Sequence, residues 1–310
     1  MSGWMATSTL YLTGASGFVG KHVLAEAQRG VFGDTAVTAA SAGLDLRDAA
    51  AVLADIGALR PDTVVHLAAQ SFVPESFARP RDTIDTNLIG TLNLLEALKS
   101  TGFRGRMLYV SSGDVYGAVP EADLPVVETR PPMPRSPYAV SKVAAELLCQ
   151  QYQLSVDFEI IVARPFNHIG PGQDVRFVVP SLARQVARIA TGLEPAEILA
   201  GDIDVTRDFS DVRDVVGAYA ALLRAGRAGE IYNVCSGREV KIRDILMILC
   251  RQAGVSPDIR QDAAKLRPSE QRRMVASSDK LAGDTGWAPQ WALERTLQQI
   301  LDTFSTKDSL

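Results

Sequence analysis

Two residues four positions apart could move a proton during a reduction. Tyr138 and Lys142 lie in the segment Tyr-Ala-Val-Ser-Lys, and on a helix this spacing places the phenol and the ammonium on one face. A nearby ammonium favours the phenolate, so it lowers the pKa of a tyrosine. Such a tyrosine can donate or accept the proton when a carbonyl and an alcohol interconvert. The pair therefore predicts an oxidoreductase site, provided that a hydride carrier binds beside it.

A glycine-rich turn near the N-terminus could hold that carrier. Residues 13–20 read TGASGFVG, and they lie between a predicted apolar strand (Thr9–Thr13) and a helical pattern. Glycines allow the backbone to approach a pyrophosphate, and a helix N-terminus offers free N–H groups and the positive end of a dipole. The spacing is Gly-x-x-Gly-x-x-Gly, not the Gly-x-Gly-x-x-Gly of many dehydrogenases. Its position after a strand predicts a dinucleotide site at Gly14, Gly17 and Gly20.

The end of the second predicted strand (36–40) bears on the choice of dinucleotide. NAD-binding proteins place an acid there to hold the ribose hydroxyls, but residues 38–41 of this chain read Thr-Ala-Ala-Ser. Asp34 precedes the strand and lies at its wrong end. Without an acid at this position, no carboxylate repels the 2′-phosphate of NADPH, which favours NADPH. Residues 38–41 also contain no arginine that could bind this phosphate, so NADH remains an alternative.

Strands and helices alternate through the first half of the chain. Further strands are predicted at 63–67, 106–111 and 158–163, and helices at 17–29, 46–58, about 82–99 and 138–153. Near-continuous apolar strands joined by helices predict an α/β fold with a doubly wound parallel sheet. Ser111 and Ser112 end the fourth strand, and the carboxyl ends of parallel strands line the ligand crevice. Ser112 is therefore predicted to hydrogen-bond a substrate carbonyl.

The alternation weakens after residue 163. Five prolines between 125 and 137 predict a loop at 120–137, because proline fixes φ and removes a hydrogen-bond donor. Later helices are predicted at 177–192, 215–224 and 242–253. We therefore predict a dinucleotide-binding Rossmann domain at 1–166. A smaller substrate-binding region is predicted at 167–310, with segments that return to the first domain.

Composition limits the class of protein. Of the 310 residues, 46% are apolar and 22% charged, with a formal net charge of −4, which is typical of a globular chain without the basic surface of a nucleic-acid binder. Three cysteines without Cys-x-x-Cys spacing and three histidines argue against a zinc site or a disulfide framework, and His66 is predicted to be a hydrogen-bonded core residue. The chain lacks an apolar run of about 18 residues and an evident signal peptide. A cytoplasmic protein that does not bind membranes is expected.

Eight motifs, in order along most of the chain, resemble the extended short-chain dehydrogenase/reductases that act on nucleotide sugars. They are TGASGFVG (13–20), DLRD (45–48), VVHLAAQ (64–70), DTNLIGTLNLLEA (85–97), SSGDVYG (111–117), SPYAVSK (136–142), ARPFNHIGPGQ (163–173) and RDFSDVRDVVGAY (207–219). The resemblance implies the doubly wound Rossmann fold with a sugar-nucleotide lobe.

The resemblance also implies roles for single residues. Ser112, Tyr138 and Lys142 match the catalytic triad, and Tyr138 and Lys142 also belong to the cofactor site. The other implied cofactor residues run from the pyrophosphate turn through the adenine and ribose contacts to the nicotinamide side: Gly14, Ser16, Gly17, Phe18, Val19, Gly20, Asp45, Leu46, Ala68, Ala69, Gln70 and Asn87. On the substrate side, Ser111 and Ser112 are implied near the sugar and Asn167 at the diphosphate.

Within this family, NHIGPGQ (167–173) followed by FVVPSLARQVARI (177–189) resembles the branch that binds GDP-sugars. In that branch the backbone near Val179 meets the guanine, and Arg184 lies near the nucleotide. Arg207 resembles the arginine at the diphosphate, and Arg267 and Glu270 resemble the contacts to the nucleotide ribose. Arginine suits a diphosphate and a carboxylate suits a ribose diol. Surface solubility is the alternative role for Arg207 and Arg267.

The reaction that the resemblance implies is NAD(P)H-dependent reduction of the C4 ketone of GDP-4-keto-6-deoxy-D-mannose to GDP-D-rhamnose. The alternative is 4,6-dehydration of GDP-mannose, which needs further acid–base groups. Asp114 occupies the position of the dehydratase carboxylate but is shorter than the usual glutamate, and residues 177–182 lack an Arg-Lys pair. Both differences favour the reductase. A nucleotide-sugar epimerase is a further alternative, and the retained Tyr138 and Lys142 disfavour a dinucleotide sensor without catalysis.

The resemblance extends to assembly. Residues 88–98 and 143–152 would present apolar helix faces. In relatives, the corresponding helices of two subunits pair as a four-helix bundle. A homodimer is therefore implied.

Overall fold

The computed structural model describes residues 8–262 and 271–305. Its strands, in chain order, are β1 (Thr9–Thr13), β2 (Ala36–Ala39), β3 (Thr63–His66), β4 (Arg106–Val110), β5 (Glu159–Pro165), β6 (Asn167–Ile169), β7 (Glu197–Ala200), β8 (Thr206–Asp211), β9 (Ile231–Val234), β10 (Glu239–Lys241) and β11 (Asp258–Gln261). Its α-helices are α1 (Phe18–Gln28), α2 (Ala49–Leu59), α3 (Val73–Ala78), α4 (Pro80–Ile84), α5 (Gly90–Ser100), α6 (Pro137–Gln153), α7 (Val178–Ala190), α8 (Val212–Ala225), α9 (Ile242–Ala253), α10 (Asp279–Thr285) and α11 (Leu293–Ser305).

The central sheet has six strands in the order β2-β1-β3-β4-β5-β9, and all neighbours are parallel. Because side chains alternate along a strand, Leu10 and Leu12 of β1 face one layer and Tyr11 faces the other. The first layer contains α1, α8 and α10, and the second contains α2, α5 and α6. Helices on both faces confirm the predicted doubly wound fold.

The order of strands reverses direction at β1, since β2 lies on one side of it and β3 on the other. A ligand crevice is expected outside the carboxyl ends of the strands at such a point. The glycine-rich turn follows β1 and residues 67–70 follow β3, so both lie at this crevice.

A second group of elements lies beyond β5. A three-stranded sheet has the order β10-β8-β6, and β7 pairs with β11. Helices α7, α9 and α11 share one apolar core with these strands. Strand β9 and helices α8 and α10 instead belong to the central sheet and its first layer, so the later half of the chain contributes to both groups.

The structure corrects several predicted elements. The single helix expected at 82–99 is divided into α4, a π-helical segment (Asp85–Ile89) and α5. Within the expected loop at 120–137, Val126 forms a β-bridge with Ala276. Six of the short strands, β6 to β11, were not predicted, because three to six residues carry little periodicity. Among the described residues, none of the helices is long and apolar enough to cross a membrane.

Candidate active site

The glycine-rich turn is packed against both α1 and the end of β3. Gly14 has a φ of +74°, and its carbonyl accepts a hydrogen bond from Gly17 N at 3.0 Å. A Cβ on Gly20 would lie 2.2 Å from Gly14 O, and a Cβ on Gly14 would lie 2.8 Å from Ala68 N. Side chains at these positions would therefore displace the turn, which leaves a backbone surface that a pyrophosphate can approach.

The N-terminus of α1 is open beside this surface. Gly17 precedes the helix, and no side chain in the described part of the chain caps it. Ser16 and Gly17 are exposed, whereas Phe18 and Val19 are half-buried. The first N–H groups of a helix have no partner within it and attract anions, so the turn fits the pyrophosphate of a dinucleotide.

A cavity of about 510 Å³ continues from the turn. It brings Ser16, predicted at the pyrophosphate, together with Asp45, Leu46, Ala68 and Gln70, predicted at the adenine and riboses. Arg47 and Arg79 also line it, and the sequence analysis missed both. Arg47 Nη2 donates to Asp45 Oδ2 at 2.6 Å, and this ion pair lowers the pKa of Asp45 to about 2.

The end of β2 has a carboxylate that the sequence analysis missed. Asp55 of α2 accepts a hydrogen bond from Tyr11 Oη at 2.5 Å. It also accepts bonds from the hydroxyl and the amide of Ser41. The acid comes from a helix rather than from the strand, so the pattern of β2 gave no signal for it.

Tyr138 lies in the first turn of α6, opposite the end of β4. Ser136 caps this helix by accepting a hydrogen bond from Ala139 N at 3.1 Å. Tyr138 is 7% exposed, and the Ser112 side chain lies beside its phenol. Burial raises the pKa of Tyr138 well above its ordinary value, and the negative charge of Asp114 adds to this rise. The predicted lowering by Lys142 is therefore wrong.

Lys142 does share a helix face with Tyr138, but its ammonium is directed to the sheet. Lys142 Nζ donates to Val110 O at 2.7 Å and lies 4.9 Å from the centroid of the Tyr109 ring. Burial lowers the pKa of Lys142 to about 8. Spacing predicted the shared face, but it could not predict that burial is the largest influence on the pKa of each group.

This arrangement suits the donation of a proton. A phenol with a raised pKa stays protonated at neutral pH, and it can protonate an alkoxide, which is the stronger base. Ser112 Oγ, which also accepts a bond from Asp114 N at 3.2 Å, can share the oxygen that receives the proton. Ser111 is 3% exposed, and its hydroxyl has no hydrogen-bond partner among residues 8–262 and 271–305.

Asn87 lies in the π-helical segment and is 1% exposed. Its Oδ1 accepts from Gln70 N at 2.7 Å, and its Nδ2 donates to Gln70 O at 3.1 Å and to Ser141 Oγ at 2.9 Å. Asn87 thus fixes the backbone at Gln70, which follows Ala68 and Ala69, and connects this segment to α6.

The predicted substrate residues are more dispersed. Asn167 pairs in register with Phe209, so Asn167 and Arg207 lie on one face of the three-stranded sheet. Val179, in the first turn of α7, is 1% exposed. Arg184, also on α7, is exposed. Arg267 and Glu270, the other two predicted substrate residues, lie outside the residues that the structure describes.

Aromatic contacts join the pyrophosphate turn to this second group of elements. The rings of Phe18 and His168 stack with an interplanar angle of 1° and a centroid distance of 6.1 Å. His22 Nε2 lies 3.0 Å from Pro171 O. The two predicted ligand sites are therefore adjacent. Among the described residues, no group of His, Cys, Asp and Glu could hold a metal ion.

Comparisons with known proteins agree with this geometry. A family model described as GDP-mannose 4,6 dehydratase matches residues 34–300. GDP-6-deoxy-D-mannose reductase of Pseudomonas aeruginosa is 49% identical over 97% of this chain and 98% of its own. GDP-mannose 4,6-dehydratase of Yersinia enterocolitica is 28% identical over 83% of this chain and 76% of its own. The solved structure of RMD from Pseudomonas aeruginosa with NADPH has a TM-score of 0.92 at 48% identity, over 96% of this chain and 99% of that one. The chain therefore belongs to the GDP-mannose 4,6-dehydratase family of extended short-chain dehydrogenase/reductases.

Proposed function

We propose that the protein reduces the C4 ketone of GDP-4-keto-6-deoxy-D-mannose to GDP-D-rhamnose, with NADPH as the reductant and NADH as the alternative. The observation that carries this proposal is the buried phenol of Tyr138 beside the Ser112 side chain, at the edge of a dinucleotide cradle. The Pseudomonas aeruginosa relatives, a GDP-6-deoxy-D-mannose reductase and an RMD structure with NADPH, support the substrate and the cofactor.

In the proposed mechanism, NADPH supplies a hydride to C4 when it is bound. Tyr138 donates its phenolic proton to the oxygen that becomes an alkoxide. Ser112 hydrogen-bonds the same oxygen and orients the ketone. One ammonium hydrogen of Lys142 is donated to Val110 O. The other two would hydrogen-bond the hydroxyls of the nicotinamide ribose. Positioned proton transfer of this kind contributes about 10²- to 10⁴-fold to a rate.

The proposed sites divide between the two parts of the chain. Residues 1–166 hold the dinucleotide at the turn from Gly14 to Gly20 and in the cavity beside Asp45. Residues 167–310 hold most of the GDP-sugar, with Asn167 and Arg207 at the diphosphate. The other proposed nucleotide contacts are Val179, Arg184, Arg267 and Glu270.

Purified protein given GDP-4-keto-6-deoxy-D-mannose and NADPH should consume NADPH in amounts equal to the GDP-D-rhamnose formed. Loss of NADPH absorbance and chromatography of the sugar nucleotides measure the two quantities. A protein that binds NADPH but turns over neither this substrate nor another nucleotide sugar would instead be a sensor. Conversion of a GDP-sugar to its epimer without net use of NADPH would support the epimerase.

Dehydration of GDP-mannose is the second candidate, because Asp114 lies close enough to Tyr138 to raise its pKa. That carboxylate could take part in removing the C5 proton. Dehydration, however, begins by oxidising C4, which requires Tyr138 to act as a base, and a raised pKa opposes that step. Incubation of GDP-mannose with the protein and NADP⁺ should therefore give no keto sugar. Formation of the keto sugar, and its loss in Asp114→Asn, would establish the dehydratase.

A homodimer formed through α5 and α6 is also proposed. Val140 and Leu147, one heptad apart on α6, are 46% and 60% exposed, which is a suitable apolar seam for a second copy. Light scattering should give the mass of a dimer, and Leu147→Lys should give a monomer. We place the protein in the cytoplasm, because its three cysteines are free and buried and free thiols are typical of reducing compartments.

A further inference from the structure

A buried histidine connects the two halves of the proposed active site. His66 ends β3 and is 2% exposed. Its Nδ1 lies 2.7 Å from Thr13 Oγ1, and its Nε2 lies 3.0 Å from Thr91 Oγ1. Burial, helped by the charge of Lys142, lowers the pKa of His66 to about 3, so the ring is neutral and only one nitrogen has a proton.

The partners determine which nitrogen that is. Thr91 Oγ1 donates its single proton to Asn87 O at 2.6 Å, so it must accept a bond from His66 Nε2–H. The unprotonated Nδ1 then accepts from the Thr13 hydroxyl, whose oxygen accepts from Ala68 N at 3.1 Å. Each donor points the same way, from Ala68 through Thr13, His66 and Thr91 to Asn87. Aligned hydrogen bonds of this kind polarise and strengthen one another.

The chain ends where the helix is irregular. Asn87 lies within the π-helical segment Asp85–Ile89, and such segments often occur at functional sites. The hydroxyl of Thr91 satisfies the Asn87 carbonyl, and the Asn87 carboxamide holds the backbone of Gln70. The same carboxamide donates to Ser141 Oγ, which donates to Tyr138 O at 2.6 Å.

We propose that His66 and Thr91 are positioning residues for the reduction: they fix Asn87, and through it the spacing between the Gln70 backbone at the cofactor and Tyr138 on α6. This inference rests on the proposed function for the kinetic part of its test. His66 and Thr91 are 2% and 0% exposed, so both lie in the protein interior. Without the Thr91 hydroxyl, His66 Nε2–H would be buried without the partner it has here, which is costly. Asn87 O would lose one hydrogen bond, and the π-helical segment should rearrange.

Three threonine variants separate positioning from simple support of the fold. Thr91→Val keeps the shape and removes the hydroxyl, whereas Thr91→Ser keeps the hydroxyl. Thr101→Val is the matched control, because Thr101 Oγ1 also donates to the carbonyl four residues earlier, Ala97 O at 2.8 Å, at the far end of α5. A misplacement of about 1 Å can lower a rate about 100-fold, so kcat should fall about 10- to 100-fold in Thr91→Val only.

NMR of protein with ¹⁵N-labelled histidine tests the same idea without turnover. His66 should show a protonated Nε2 and an unprotonated Nδ1 in the wild type and in Thr91→Ser, and an altered signal in Thr91→Val. A wild-type Nδ1–H tautomer would overturn the proposal, as would an unchanged kcat in Thr91→Val or equal losses in Thr91→Val and Thr101→Val. A wild type that binds NADPH and shows the expected tautomer but reduces no ketone would refute the proposed function instead.

Discussion

Replacing Gly20 with alanine should weaken NADPH binding without unfolding the protein. A Cβ at Gly20 would lie 2.2 Å from Gly14 O and 2.6 Å from Ala15 Cα, whereas ordinary contacts begin at 3.4 Å. Both obstacles are backbone atoms, so no side-chain rotation relieves the overlap. The pyrophosphate turn must therefore move away from α1.

The size of the effect follows from two opposing contributions. Overpacking costs about 1–3 kcal/mol, and alanine in place of a helical glycine returns about 0.5–1 kcal/mol. The free energy of unfolding should fall by at most about 2.5 kcal/mol. NADPH can bind only when the turn returns to its original position. The free energy needed to restore the overlap is therefore subtracted from the free energy of NADPH binding. One factor of ten corresponds to about 1.4 kcal/mol, so the dissociation constant of NADPH should rise about 5- to 100-fold.

Fluorescence titration with NADPH and urea unfolding measure the two effects separately. Gly57→Ala is the matched control, because a Cβ there would lie 3.8 Å from Thr101 Cγ2, an ordinary contact inside α2. This control should bind NADPH normally and unfold at slightly higher urea. Equal affinity in Gly20→Ala and Gly57→Ala would refute the reasoning.

Three further predictions concern Tyr138, Lys142 and the ion pair between Arg164 and Glu146. Tyr138→Phe should lower kcat for ketone reduction, measured at saturating NADPH, about 10²- to 10⁴-fold; full activity would exclude the proposed proton donor. Because burial lowers the pKa of Lys142 from 10.5 to about 8, NADPH affinity should fall as pH rises through 8, and Lys142→Met should abolish this dependence. Over the same range, up to pH 10.5, the contribution of Lys142 to the free energy of unfolding should rise, because only the unfolded chain still binds the proton. Arg164→Met should lower the free energy of unfolding, measured in urea, by about 3–5 kcal/mol, since Glu146 is left buried and unpaired, and Glu146→Leu added to it should restore most of the loss.

Much of the site could be predicted because the fold places strand ends together. A turn after β1, a serine after β4 and a tyrosine at the start of α6 need only the right order of elements to meet at one edge of a parallel sheet. The strands β1 to β5 were predicted within one or two residues of their observed ends. These strands are buried on both faces, which requires apolar residues along their length. Apolar runs in the sequence therefore predict their positions.

The protonation behaviour of the site could not be predicted in the same way. Spacing places Tyr138 and Lys142 on one face of α6, but it does not tell how deeply the sheet buries them. Both groups are nearly enclosed, and removal from water disfavours each charged form. The pKa of Tyr138 therefore rises and that of Lys142 falls, whereas the interaction between them alone would have the opposite effects.

The π-helical segment shows a second limit of the sequence. An ordinary α-helical pattern spans 82–99, and nothing in it marks an additional residue in a turn. The Thr91 hydroxyl that donates to the Asn87 carbonyl also hydrogen-bonds His66, 25 residues earlier, so a tertiary contact reaches this segment. A prediction from local periodicity has no access to that partner.

The electrostatics of ligand binding follow from short-range geometry rather than from overall charge. The net charge of −4 repels polyanions such as NADPH and a GDP-sugar at long range. Exposed arginines do not reverse this, because several are paired with neighbouring acids, as Arg47 is with Asp45 and Arg273 is with Glu239. The uncapped N-terminus of α1 acts only within hydrogen-bond distance, through N–H groups fixed by the turn. Affinity for the dinucleotide thus depends on the shape of the turn, which is why a single methyl group at Gly20 should matter more than a change in surface charge.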